Sequence, residues 1–278
     1  GVLEKLDGKV SDAIQSLVYP YWHPSGDYVA FSTNQTKQMF HMKDKNRIEV
    51  FDMSSDVLVY DVKNHRVVTD SLLFSKQAFE TFPSFSPDGK TLYFSSSVAQ
   101  KMPIDYKKVK YNICSISFDA ETGRFGTQVD TLFSVEQTGK TGTFPRVSPD
   151  GKFLAFTEAD YGNFTIWHKE ADLCLIDLKT KEIKSLDALN SLEAESYHAW
   201  SSNGRWLVFA SRRDDGLYSR PYIAYIDEEG TPHKAFVVPQ ASPDAYLDGL
   251  KSYNVPEFIT GPVNLQRKAV VEMAKHGQ

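Results

Sequence analysis

The 278-residue chain is poor in cysteine, with only Cys114 and Cys174. Two thiols cannot make the disulfide framework of a small secreted domain, so a packed core has to hold the fold. No apolar run reaches the roughly 18–20 residues that a membrane-spanning helix needs. An excess of either charge is also missing: 31 Lys and Arg face 36 Asp and Glu, for a net charge of −5. That balance offers no basic footprint for nucleic acid. No G-x-S-x-G elbow, P-loop, G-x-G-x-x-G or H-E-x-x-H occurs, which removes local support for a serine hydrolase, a nucleotide enzyme or a zincin. The opening Gly1-Val2-Leu3-Glu4 has neither a basic nor an apolar leader region, and a first residue other than Met is what a processed product would show.

The chain is rich in aromatics, with 18 Phe, 14 Tyr and 4 Trp, and it carries an internal repeat. Four segments share one pattern: Tyr19-Pro20-Tyr21-Trp22-His23-Pro24-Ser25-Gly26, Phe82-Pro83-Ser84-Phe85-Ser86-Pro87-Asp88-Gly89, Phe144-Pro145-Arg146-Val147-Ser148-Pro149-Asp150-Gly151 and Tyr197-His198-Ala199-Trp200-Ser201-Ser202-Asn203-Gly204. An aliphatic residue stands three places past each glycine (Val29, Leu92, Leu154, Leu207), and a Phe stands five past (Phe31, Phe94, Phe156, Phe209). Pro early and Gly late make a hairpin turn, because Pro fixes φ and Gly accepts positive φ. Period-2 alternation then sends the aliphatic residue and the Phe to one face of the next strand.

Each unit holds four strands in roughly 50–60 residues. This predicts an all-β fold, a β-propeller of four-stranded blades near residues 19–78, 79–140, 141–193 and 194–240. A single blade cannot bury both of its faces, so stacking must bury them. Trp22, Phe85, Val147 and Trp200 are assigned to the resulting inter-blade core. Residues 1–18 read as the tail of a preceding blade, with Gly8-Lys9-Val10 like an outer-strand turn. Four visible repeats suggest part of a five- or six-bladed ring, either in a longer protein or completed by the chain ends. After Gln240 comes a loop and then a helix over residues 263–276, with Leu265, Ala269, Val270 and Met273 as an apolar stripe expected to pack on the propeller's side.

The stretches Phe82 to Phe94 and Phe144 to Phe156 resemble TolB-type propeller repeats, whose core reads P-x-[aromatic]-S-P-D-G-K-x-[aliphatic]-x-F. The resemblance covers residues 19 to 240. It implies a ring that usually has six blades and a family that contains both periplasmic binding partners and propellers attached to peptidases. The runs Tyr19 to Gly26, Ile166 to Asp172 and Ser211 to Gly216 resemble a group of bacterial envelope proteins. Some of those carry a haem-type C-x-x-C-H motif that this chain lacks. The resemblance therefore implies a periplasmic or cell-surface location and no cofactor.

In a propeller, the loops entering each first strand and those joining the second and third strands share the face around the channel mouth. Placed there are Asn34, Gln35, Glu80, Thr81, Asp160, Tyr161, Trp167, His168, Glu195, Tyr197, His198, Arg212, Arg213 and Asp214. Aromatic, carboxylate and guanidinium groups together suit a protein, peptide or glycan ligand, so a non-enzymatic binding role is expected. The competing reading of Arg212 to Asp215 is a turn that satisfies its own charges. An enzymatic alternative is a metal-dependent oligosaccharide lyase or hydrolase. Propeller-type pectate-oligomer lyases use loop histidines around a divalent metal, and His168 and His198 would be the first ligands here. His23 stands where other copies have Ser86, Ser148 and Ser201, so it is expected to cap a turn. Paired carboxylates drawn from different blades would leave no local signature, and the triplets at Asn34 and Asn163 are too few to weigh as glycosylation sites. Cys114 and Cys174 fall at matched positions of neighbouring blades, whose sheets pack about 10 Å apart. They should therefore be free, buried thiols, since a disulfide needs closer Cα atoms.

Overall fold

The computed structural model describes residues 17–262 except Lys45 and Pro243, together with residues 267–276. The expected tail at 1–18 and the first residues of the expected C-terminal helix therefore lie mostly outside the described residues.

Four antiparallel four-stranded sheets follow the four repeats in chain order. The first holds β1 (Val18–Trp22), β2 (Tyr28–Phe40), β3 (Ile48–Asp61) and β4 (Arg66–Val68). The second holds β5 (Ala78–Phe85), β6 (Thr91–Val98), β7 (Asn112–Asp119) and β8 (Arg124–Phe133). The third holds β9 (Thr141–Val147), β10 (Phe153–Ala159), β11 (Asp172–Asp177) and β12 (Ile183–Ser185). The fourth holds β13 (Glu195–Trp200), β14 (Trp206–Ser211), β15 (Arg220–Tyr225) and β16 (Phe236–Val237). The strands of each sheet lie side by side in sequence order, which makes the arrangement a β-propeller.

The repeat motif makes the turn between the first two strands of every sheet. Gly26, Gly89, Gly151 and Gly204 all take positive φ, from 67° to 79°. In three sheets the turn serine donates to the turn Asp or Asn (Ser86 to Asp88 and Ser148 to Asp150 at 2.6 Å, Ser201 to Asn203 at 2.7 Å) and accepts from the backbone where the next strand begins. His23 takes the serine's place in the first. Its Nδ1 meets Ser25, as a turn cap should, and its Nε2 reaches the Gly89 carbonyl at 3.0 Å, locking two turns together. A Cβ on Gly89 would lie 2.2 Å from that ring, so glycine is needed there for space as well as for φ.

Three apolar layers fill the gaps between successive sheets. Tyr28, Val57 and Val59 meet Phe85, Leu92 and Phe94. Ile113 and Phe133 meet Val147, Leu154 and Phe156. Phe153, Leu173 and Leu175 meet Leu207 and Phe209, with Trp200 packed alongside. The motif residues of the second, third and fourth repeats thus face the sheet that precedes them in the chain. Trp22 departs from the expected core role because it is 59 % exposed. It belongs to the first sheet, and no earlier sheet stands against it among the described residues. The fourth sheet is not joined to the first by any comparable layer among the described residues.

Where the first strands converge, a second repeat feature emerges. Tyr19, Phe82, Phe144 and Tyr197 all adopt positive φ, between 50° and 58°. A ladder irregularity sits at this point in every sheet. The left-handed region is unfavourable for bulky side chains, so four copies of it are a designed bulge and not an accident. The bulges aim four rings at one another, with centroid distances of 4.5 Å for Tyr19–Phe82, 5.3 Å for Phe82–Phe144 and 5.3 Å for Phe144–Tyr197. The rings fill the axis with apolar matter.

Cys114 and Cys174 are free and buried, paired across their ladders with Phe94 and Phe156 respectively. The C-terminal helix α1 (Arg267–His276) leaves Val270 and Val271 exposed and Ala269 half-buried, while Leu265 and the Met273 side chain of the expected stripe lie outside the described residues. No helix among the described residues is long and apolar enough to cross a membrane.

Candidate functional site

Strands β2 and β3 run on well past the sheet as a hairpin, paired from Tyr28↔Asp61 out to Phe40↔Ile48. Asn34 and Gln35, expected in a loop, are therefore strand residues. The hairpin lies across the channel face and is tied to loops of other sheets. Lys107, just before β7, pairs with Asp44 at 2.8 Å, and Tyr106 stacks on Phe51. The loop after β10 supplies Tyr161, Asn163, His168 and Lys169, all of which bond to the hairpin.

Two hairpin carboxylates organise this contact. Asp52, 2 % exposed, accepts from Asn34 Nδ2, Thr36 Oγ1 and Asn163 Nδ2, each at 2.6 Å. Burial pushes its carboxyl above the usual range against those three bonds. Glu49 accepts from Tyr161 at 2.7 Å and from His168 Nε2 at 3.1 Å, with His41 Nε2 at 3.4 Å. Burial works against the Glu49 charge, but the donors from His168 and Tyr161 prevail and hold it below the ordinary value. Asn34 and Asn163, the two N-x-T asparagines, are both buried on Asp52 and closed to modification. Neither carboxylate was legible as a site residue, because nothing in residues 41–56 repeats elsewhere in the chain.

The remaining candidates divide by place. Tyr197 belongs to the axial rings. His198 lies just below them, edge-on to Phe144 at 5.6 Å, and burial pushes its imidazole down to about 3, so it is neutral. Arg213 turns inward to Glu195 (3.1 Å) and Ser211 (2.8 Å) and stacks on Tyr222. Asp214 accepts from Tyr222 and pairs with Arg220, which also pairs with Asp215. Within the run from Arg212 to Asp215, Arg213, Asp214 and Asp215 thus find partners outside it, while the Arg212 and Asp215 charges also act on one another. Thr81 joins a hydroxyl contact to Ser32, and Asp160 pairs with Lys140. His168 and His198 share no partner, and among the described residues no three His, Cys, Asp or Glu side chains converge as a metal would need.

Trp167 is half-buried, with the Arg212 guanidinium 4.6 Å from its ring centre. The pair lines a groove of about 600 Å³ between the hairpin tip and the loop after β14, together with Lys43, Arg47, Lys169 and Asp215. Lys169 pairs with Glu193 at the edge. The groove thus combines a flat aromatic surface with four cationic side chains, Lys43, Arg47, Lys169 and Arg212, against the carboxylates of Asp44 and Asp215.

Neither a sequence-family profile nor a curated protein matches the chain. Solved structures do. A prolyl endopeptidase aligns at TM-score 0.52 and 17 % identity, over 87 % of this chain and 32 % of that one. An oligogalacturonate lyase solved with manganese aligns at 0.50 and 14 %, over 81 % and 54 %. TolB from Acinetobacter baumannii aligns at 0.40 and 15 %, over 81 % and 58 %. The chain spans less than two thirds of each of these proteins. At such identities the likeness is one of fold, a β-propeller.

Proposed function

We propose that the chain is a non-enzymatic binding propeller that recognises a carboxylate-bearing peptide or glycan in the groove beside Trp167 and Arg212. The observation that carries this reading is the contrast between buried and open chemistry on the channel face. Glu49, Asp52 and Glu195 are buried and each is held by three or more donors, so none is free to move a proton to a substrate. His168 is committed to Glu49, and His198 is enclosed. Facing the groove is the half-buried Trp167 ring beneath Arg212, whose guanidinium also donates to the Ile166 and Leu217 carbonyls, with Lys43 and Arg47 nearby; this supports charge-assisted recognition. The bacterial envelope as the setting follows from the sequence resemblance.

One structural neighbour is an oligogalacturonate lyase, so an acidic oligosaccharide is the natural first probe. Calorimetry with oligogalacturonate and oligoglutamate, against neutral maltohexaose and oligoglutamine, tests the reading. An acidic probe should bind, and the Trp167→Ala, Arg212→Ala double variant should weaken it by about tenfold or more. Equal binding of acidic and neutral probes, or no effect of the double variant, overturns it.

A further inference from the structure

Matching the four repeats position by position isolates an oddity in the second sheet. Nine residues before the turn glycine stand Leu17, Glu80, Gly142 and Glu195; nine after it stand Gln35, Val98, Asp160 and Arg213. In the fourth sheet the two positions make a pair, with Arg213 Nη2 on Glu195 Oε1 at 3.1 Å and Ser211 Oγ donating to the same oxygen at 2.6 Å. The second sheet repeats the glutamate and the serine, and Ser96 donates to Glu80 Oε1 at 3.4 Å. Where the arginine would stand it has Val98, which is 71 % exposed. Glu80 is 2 % exposed, and its Oε2 has no partner. Buried polar atoms in native proteins nearly always find one, so such an orphan marks a missing counter-group.

A groove of about 790 Å³ opens beside it, between the first and second sheets. Met53, Phe74, Phe79 and Ala99 give it apolar walls, and Asp56 brings a carboxylate to it. Ala78 lines the groove, and Glu80 lies on the same strand face two residues further in. Asp56 is close enough for its charge to act on Glu80. Ser55, next to Asp56, is buried against Tyr111, and Ser95, paired with Thr81, is buried with a hydroxyl that lacks a partner. Of the other titratable groups here, Tyr111 is buried beside Ser55 and neutral, and Lys76 stands exposed at the groove. Two carboxylates and a spare hydroxyl next to an apolar cleft call for a cation that carries several N–H donors.

We propose that this groove binds the guanidinium or ammonium group of a ligand, seated at Glu80 and Asp56 as Arg213 is seated at Glu195, with its stem against Met53 and Phe74. The site is separate from the cationic groove near Trp167 and opposite to it in charge, so either can fail without the other. Burial, and then Asp56, push the Glu80 carboxyl up to about 8, so the empty site holds a proton at pH 7 and an arriving cation displaces it.

The test is calorimetric titration with L-argininamide at pH 7, in buffers of different ionisation enthalpy, with neutral L-citrullinamide as the control. One argininamide should bind per chain with release of about half a proton or more, and citrullinamide should not bind. Glu80→Gln should weaken binding by about tenfold or more and abolish the proton release. Val98→Arg supplies the cation internally, so it should block the probe and raise the melting temperature. Asp56→Asn, at a half-exposed position, covers the case in which a core variant fails to fold, and should also weaken binding. No binding to the wild type at millimolar argininamide, equal binding of citrullinamide, or a Val98→Arg variant that binds like the wild type overturns the proposal.

Discussion

Replacing Phe82 tests the axial bulge directly. The ring is fully buried between Tyr19 and Phe144, and its backbone sits at φ +53°. Truncation to alanine removes the ring contacts and leaves a cavity, a loss of about 3–5 kcal/mol. Alanine also keeps a Cβ in the left-handed region, which costs about 1–2 kcal/mol that glycine avoids. Glycine in turn loses about 0.4–1 kcal/mol through the greater freedom of its unfolded chain. Phe82→Gly should therefore be more stable than Phe82→Ala by about 0.5–1 kcal/mol, although both are far below wild type. Phe94, equally buried but in an ordinary strand conformation, is the control, and there alanine should beat glycine by about 0.5–1 kcal/mol. Urea unfolding of the four variants, followed by circular dichroism, gives both differences. If alanine beats glycine at position 82 by the same margin as at 94, positive φ is not what shapes the bulge.

Other outcomes follow from the same coordinates. The Glu80 carboxyl titrates near 8 when folded and near 4.5 when unfolded, so between these values the native state binds the extra proton. Its contribution to stability is thus fully present below about pH 4.5 and lost as pH rises through about 8; it is capped at about 5 kcal/mol and expected nearer 2–3 with the groove alongside. Urea unfolding from pH 5 to 9 should show wild type falling more steeply than Glu80→Gln, and parallel curves would refute this. Asp52→Ala leaves Asn34, Thr36 and Asn163 without their acceptor and should cost about 3 kcal/mol or more, whereas Asp52→Asn should cost less; a chemical-denaturation series that ranks them the other way would contradict the hairpin anchor. Burial pushes the Cys114 thiol up to about 11 and raises Cys174 further, so neither should react with a thiol reagent at pH 8 until the protein is unfolded.

The propeller was legible because its information is local and repeated. A Pro-to-Gly turn followed by alternating apolar residues dictates a hairpin wherever it occurs, and four copies in phase leave little choice of architecture. What escaped was whatever a single copy does alone. The hairpin beyond Thr33 has no counterpart in the other repeats, so Glu49 and Asp52 gave no pattern to read. Trp22 matched Phe85 and Trp200 in the motif, but its burial depends on a neighbouring sheet, which the motif does not encode. Positive φ at Tyr19, Phe82, Phe144 and Tyr197 is equally hidden: the first three precede proline, where extended backbone is the ordinary expectation, and bulky side chains rarely enter the left-handed region. Arg212 and Arg213 looked equivalent by composition. Only the fold sends one over Trp167 and the other in to Glu195.

The reach of the β2–β3 hairpin bears on how the chain folds and fails. Repeat arrays usually gain and lose their units one at a time, because each unit touches only its neighbours. Here the first repeat grips the third through partners more than a hundred residues away, such as Asn163 on Asp52 and His168 on Glu49. Deleting the last two repeats would therefore strand two acidic groups inside the first one. Piecemeal fraying gives way to a single cooperative transition, and a ribosome-bound chain cannot finish its first repeat until the third has emerged.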